Sequence, residues 1–404
     1  MRAMQRVVLA VMLIGAPGTA WAQANCTNSG KFETWLAEFK KEALAQGISQ
    51  SAINAASPYL VLDQRIINID RSQRFFAQDF LEISTKMLPS GRLTGGAAKM
   101  KQYKDLFARE EKEFGVPASV ITAFWGLESD FGSGQGKDHA IKSLATLAYD
   151  CRRADMFRAH LFDALRLIER GDLRAEEMIG SWAGELGHTQ FMPSEYMANA
   201  IDYDGDGKRN LIKSVSDVIG STGKYLVHLG WKRGEPWLEE VRVPANLPWK
   251  EADLSVQHPR SKWAAWGVTR PGGKALPNDN VPASVVLPVG RFGPAFIAYD
   301  NFQAHLKWNQ SLNYSLTAAY YATRLDGAPP MSKGSGTVPK ITFEETREVQ
   351  QLLQKRGYDV GRIDGVLGLK SRVAIRDTQI KFGLPADGWP SAELLARLRG
   401  GGRT

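Results

Sequence analysis

The sequence predicts a mainly α protein with a small strand-containing insert and a separate C-terminal three-helix module, and three observations carry that prediction. Apolar residues recur at three-to-four spacing from Phe32 to about Leu229. From Lys232 to about Ala298 the texture changes: Pro, Gly and Trp become frequent and short apolar runs replace the helical period. Beyond a Pro, Gly and Ser stretch, the segment from Phe343 to about Arg399 carries three short apolar sets of its own. With 404 residues, 43% hydrophobic and 23% charged, the chain has an ordinary globular composition and is long enough for two or three domains.

The chain opens with "MRAMQRVVLAVMLIGAPGTAWAQANC". Arg2 and Arg6, an apolar core from Val7 to Ile14 and small residues up to Ala22 or Ala24 read as a secretory signal over 1–24. The apolar run is too short to span a bilayer permanently. Cys26 lacks the Leu and small residue that precede a lipidated cysteine, so the expectation is an exported, periplasmic protein without a lipid anchor. In an oxidising compartment the two cysteines, Cys26 and Cys151, are expected to form one disulfide tying the mature N-terminus to the core, two separate buried thiols being the alternative. The net charge of +8 suggests an anionic partner, and export argues against nucleic acid.

The stretches "FETWLAEFKKEALAQGI", "KMKQYKDLFAREEKEFG", "MFRAHLFDALRLIERG" and "SVSDVIGSTGKYLVHLGW" each read as a helix. Gly47, Gly115, Gly171 and Gly230 stand where these patterns stop. In the insert, about 232–298, "ASVVLPVG" and "AFIAY" read as strands, and "QSLNYSLTAAYYATRL" returns to helix. Residues 326–342 are a linker by composition. Beyond them, Val349, Leu352 and Leu353, then Val373, Ile375 and Ile380, then Leu394, Leu395 and Leu398, imply three helices in a module over 343–404.

One residue sits badly with plain core packing. On a helix Glu128 shares a face with Ile121, Phe124 and Trp125, where burial raises the pKa of a carboxyl. Pro117 suits the start of that helix and Gly132 its end. A second cluster, "GSWAGELGHTQFMPSEY", joins three glycines to Ser181, Gln190, Pro193 and Ser194, groups that suit a sugar better than an ion. Phe191, Tyr196 and Trp182 offer stacking faces there. Glu185 and Glu195 lie nearby but read as solvated side chains. None of the six histidines has a zinc-site spacing.

"GLESDFG", then "SWAGELGHTQFMPSEY", "DYDGDGKRNL" and "NFQAHLKWNQSLNYSLTAAYY", in this order, resemble the lytic murein transglycosylase B family over roughly Phe32 to Leu325. The resemblance implies a lysozyme-like (α+β) catalytic core within 25–325 that cleaves the MurNAc–GlcNAc β-1,4 bond of peptidoglycan. By motif position Glu128 matches the acid/base, Ser181 and Gln190 match cleft residues, and Trp308, Asn309 and Tyr314 match an aromatic-Asn…Tyr motif. A glycosidase normally needs two carboxylates. The resemblance instead implies one: Glu128 as acid and then base, the MurNAc acetamido group assisting, and a 1,6-anhydro product.

No cofactor is required for that step. The family can carry calcium in the loop "DYDGDGKRNLIK", with Asp202, Asp204, Asp206 and the Lys208 carbonyl as ligands, but Lys213 stands where a bidentate acid belongs. The terminal module resembles the three-helix peptidoglycan-binding domain through Gln350, Gly357, Asp364, Gly365, Gly368, Arg372, Gln379, Asp387 and Gly388, with Ser371 in place of Thr. Its implied role is tethering. The implied partners are peptidoglycan glycan strands, with other cell-wall enzymes left open. A water-using muramidase and a non-catalytic wall-binding protein are the rival readings.

Overall fold

The computed structural model of the protein describes residues 30–72 and 78–400. The expected signal segment and Cys26 lie outside the described residues; Cys151 is not a free cysteine. Seven helices come first: α1 (Phe32–Ala45), α2 (Gln50–Ala56), α3 (Gln64–Arg71), α4 (Phe80–Met87), α5 (Ser90–Gln102), α6 (Lys104–Phe114) and α7 (Ala118–Ser129). Ser49, Asp63 and Asp79 start α2, α3 and α4 by accepting a first-turn backbone N–H. The run expected as one helix up to Phe114 breaks at Tyr103, whose ring packs 5.9 Å from Trp125. Tertiary packing there overrides an unbroken helical pattern.

Helix α7 is the centre of the molecule, buried almost all round from Ser119 to Gly126. Gly126 makes close approach possible: a Cβ there would lie 3.0 Å from the Phe131 ring and 3.1 Å from Tyr321. The helix ends through Asp130 and Phe131, both left-handed (φ 51° and 61°), rather than waiting for Gly132. The Phe131 N–H reaches back to the Trp125 carbonyl at 3.2 Å.

Next come β1 (Asp138–His139), α8 (Ala140–Tyr149), α9 (Ala154–Glu169), β2 (Ile179–Gly180), α10 (Pro193–Asn199) and α11 (Val215–His228). Strands β1 and β2 pair antiparallel, Asp138 opposite Gly180. Gly136 (φ 104°) permits this, because a Cβ on it would sit 1.9 Å from the Gly180 oxygen.

The insert is a sheet of β3 (Leu238–Val241), β4 (His258–Pro259), β5 (Pro282–Val286) and β6 (Ala295–Ala298), antiparallel in the order β3-β6-β5-β4, with α12 (Arg260–Ala265) following β4. The two strands visible in the sequence, β5 and β6, are the central pair and almost fully buried. The edges, "LEEV" and the two residues ending in Pro259, carry little apolar pattern to read. Helices α13 (Phe302–Trp308) and α14 (Leu312–Leu325) return to the core, α14 against α7 and α4.

Residues 326–342 hold no regular element, yet they are pinned to the insert and to α14. The Met331 N–H meets the Tyr320 hydroxyl at 3.0 Å, Ser332 N–H meets Glu240 at 2.7 Å, and Ser335 N–H meets the Phe292 carbonyl at 2.9 Å. The module is α15 (Phe343–Lys355), α16 (Leu369–Lys381) and α17 (Ala392–Arg399). Two residues expected in its core, Val373 and Ile380, are instead 40% and 48% exposed. Helix α16 turns Ala374, Ile375, Thr378 and Gln379 inward, and gives another face to the insert through Arg372 and Arg376. Trp389 joins the apolar cluster of Val286, Val289 and Phe296, so the module is docked on the sheet.

Candidate active site

Glu128 lies in the last turn of α7, where α13 and α14 meet it. One of its oxygens, Oε1, accepts both the Trp308 indole N–H at 2.9 Å and the Tyr314 hydroxyl. Both donors are neutral, and among the described residues no cation pairs with this carboxyl. Burial, the largest influence, and the charge of Glu185 raise its pKa, the two hydrogen bonds oppose them, and the balance is a pKa pushed up to about 7. The residue keeps partial solvent contact although protein crowds its carboxyl. With two donors on Oε1, the proton belongs on the other oxygen.

The supports of this acid were partly legible in the sequence. The partly exposed Trp308 ring stacks on Phe124 (4.2 Å, 25°) and meets Phe191 and Tyr225 at 5.6 and 5.2 Å. Tyr314 stands in the first turn of α14, whose cap Ser311 is held in turn by Asn309 Oδ1 at 2.9 Å. The structure thus brings Glu128, Trp308, Asn309 and Tyr314 together.

The loop from Gly180 to Phe191 packs against them, Phe191 on the Trp308 ring and His188 on Trp125. Gln190 takes the left-handed region (φ 50°), and its side-chain amide donates to the carbonyls of Gly187 (2.7 Å) and Gln135 (3.2 Å). Two of the expected stacking faces are not available: Tyr196 is fully buried, bonded to the backbone of Arg209 and Leu211, and Phe191 is 2% exposed. Trp182 remains partly exposed. Glu185 and Glu195 are not solvated surface acids either; burial raises the pKa of each. Glu185 accepts the Ser181 hydroxyl at 2.8 Å.

His188 escaped the sequence reading, although it sits inside the cleft motif. Its Nδ1 accepts the Trp125 indole N–H at 3.1 Å, its carbonyl accepts the Ser129 hydroxyl, and burial lowers its pKa, so it is a neutral brace between α7 and the loop. The only available signal was its place beside Gln190.

In the acidic loop, carboxylate oxygens of Asp202, Asp204 and Asp217 lie within 4.8 Å of one another. Asp206 is not in that cluster and accepts the Lys208 N–H at 2.8 Å. Lys213 turns away to Glu177, and the buried Asp217, beyond the twelve-residue pattern, takes the inner place. Asp202, Asp204 and Asp217 fit an oxygen-liganded cation. The same oxygens also accept backbone N–H groups of Gly205, Gly207, Tyr203 and Asn210, which hold the loop by themselves.

A mainly helical fold that sets a carboxyl of raised pKa beside a glycine-rich loop carrying Ser181, Glu185 and Gln190 is that of a lysozyme-like carbohydrate enzyme. Residues 31–323 match the transglycosylase SLT domain and residues 343–398 a putative peptidoglycan-binding domain. The chain therefore belongs to the SLT-domain transglycosylase family. It is 30% identical over 240 residues to membrane-bound lytic murein transglycosylase B of Escherichia coli, spanning 59% of this chain and 64% of the relative's length. Its fold is similar to SltB3 of Pseudomonas aeruginosa, solved with NAG-anhNAM-pentapeptide (TM-score 0.85, 38% identity, 92% of this chain and 100% of the other). It is also similar to E. coli Slt35, solved with calcium (TM-score 0.62, 25% identity, 75% and 94%). Among the described residues no helix is long and apolar enough to cross a membrane.

Proposed function

We propose that this protein is an exported lytic transglycosylase that cleaves the MurNAc–GlcNAc β-1,4 bond of peptidoglycan without water, leaving 1,6-anhydromuramic ends. The observation that carries this reading is Glu128, a carboxyl at a pKa of about 7 with two neutral donors on one oxygen and, among the described residues, no cation. Such a group can give a proton and take one back near neutrality. Glu128 protonates the glycosidic oxygen as the C1–O bond breaks, while the MurNAc acetamido oxygen bonds to C1. The C6 hydroxyl then attacks C1, the acetamide is restored, and the hydroxyl proton goes to Glu128. Trp308 and Tyr314 hold the carboxylate formed between the two transfers.

SltB3, solved with an anhydro-muramyl ligand, supports this product class. No step needs a metal, so a cation at Asp202, Asp204 and Asp217 would brace the loop rather than take part. The terminal module adds attachment to the wall, and the periplasm is the compartment where such a substrate lies. Digestion of purified peptidoglycan, read by mass spectrometry, tests the reading. Wild type should give ends one water lighter than reducing ends, and Glu128→Gln should give almost none. Reducing ends from wild type would establish the muramidase instead; no cleavage by wild type would leave a wall binder.

A further inference from the structure

The Ser181 hydroxyl has one hydrogen and two acceptor positions, and the protein uses all three. Its oxygen accepts the N–H groups of Ala183 (3.1 Å) and Glu185 (3.2 Å), and its hydrogen goes to Glu185 Oε2 at 2.8 Å. A residue expected to touch the sugar is thus spent on positioning a carboxylate. The Ser181 N–H to Glu185 carbonyl bond at 3.0 Å closes the same turn, and Gly184 (φ 92°) packs against Leu144 beneath it. Among the described residues no donor reaches the other oxygen, Glu185 Oε1, and Glu185 keeps partial solvent contact. Leu186, the next residue, pairs with Phe191, whose ring meets Trp308, the donor to Glu128, so Glu185 stands on the loop packed against the acid, and its charge is felt by both Glu128 and Tyr314.

We propose that Glu185 is a second catalytic carboxylate, held by Ser181, that accepts the N–H of the acetamido group taking part in the reaction. This rests on the one-acid mechanism above. When the acetamido oxygen bonds to C1, positive charge develops on the ring that forms, chiefly at nitrogen. A carboxylate already bonded to that N–H stabilises the charge as it appears and fixes the acetamide with its oxygen toward C1. When the C6 hydroxyl displaces the acetamide, the charge disappears and the N–H stays on nitrogen, so Glu185 gains and loses no proton overall. The charges of Arg153 and Glu195 act on Glu185, and its own charge acts on Glu128 and Tyr314. Burial, the largest influence, and Glu195 raise its pKa, while the Ser181 hydrogen bond and Arg153 favour the ionised form that the role needs.

The test compares Glu185→Gln, Glu185→Asp and Glu128→Gln on soluble muropeptide oligomers, and measures binding of a muramyl thiazoline, a stable mimic of the cyclised intermediate. Glu185→Gln should lower kcat by about 10²-fold, keep the anhydro product, and bind the thiazoline at least tenfold more weakly. Glu185→Asp should recover part of both. Removing the nearby charge should also move the alkaline limb of the pH profile to lower pH, because Glu128 then ionises more readily. Wild-type kcat and thiazoline affinity in folded Glu185→Gln would overturn the proposal while leaving Glu128 in place. Full activity of Glu128→Gln would instead overturn the mechanism on which it rests.

Discussion

Two buried polar sites in this molecule are built from similar parts and do opposite things. At the candidate active site, the Glu128 carboxyl is crowded by protein and meets, among the described residues, only neutral donors, and its pKa rises to about 7. At the joint between the insert and the module, Asp253 faces Arg376 at 2.5 Å, and Arg372 donates to the carbonyls of Leu287 and Pro288. Burial alone raises Asp253, but the Arg376 charge and the Ser255 hydrogen bonds outweigh it and hold its carboxyl below the usual range. Burial without a counter-ion makes an acid that can trade its proton; burial with one makes a fixed charge and a joint.

The largest effect that could break this contrast is at the acid itself. Glu128→Gln should lower anhydro-product formation by about 10³-fold, measured as initial rate on soluble muropeptides. At the joint, Asp253→Ala leaves Arg376 buried and unpaired and should weaken docking by roughly 3 kcal/mol, read as faster amide exchange in α16 and 286–291. The same joint should loosen in acid: because the folded pKa of Asp253 is depressed, its contribution is present above the unfolded value near 4 and is lost as pH falls through the folded one.

A smaller, sharpening change is Tyr314→Phe. Removing a donor to the Glu128 anion raises its pKa further, so the alkaline limb of the rate profile should move up by a fraction of a unit while kcat falls about tenfold. The stability of Glu128→Gln should show the converse sign to Asp253. The folded pKa of Glu128 is raised, so ionisation between about 4.5 and 7 costs wild-type stability, and the variant should melt a few degrees higher at pH 8 but not at pH 4. Chelation of calcium should leave turnover unchanged, since the loop of Asp202, Asp204 and Asp217 supplies no group to the cleft.

Much of the cleft was legible because single residues broke a pattern. Glu128 stood out on an apolar face, and β5 and β6 announced themselves as continuous apolar runs. What could not be read depends on who sits opposite. Tyr196 and Phe191 look like stacking faces until the fold buries them, and Glu185 looks solvated until Ser181 claims it. The split at Tyr103 and the exposure of Val373 and Ile380 follow from contacts with distant parts of the chain, and the substitution of Asp217 for Asp206 from a fold of the loop back onto α11. Residues 326–342 hold no helix or strand, and composition does not tell that their backbone bonds to Glu240 and Phe292.

The abrupt end of α7 at Ser129, through two left-handed residues, has an electrical consequence. Helix dipoles add along the axis and leave partial negative charge on the last-turn carbonyls, the turn that holds Glu128. A carboxylate there is disfavoured by the helix that carries it, whereas the same residue in the first turn would be stabilised. The direction in which the chain runs through the core therefore pushes the acid the same way as burial does. Reversing the helix while keeping every side-chain contact would give a weaker proton holder at the same spot.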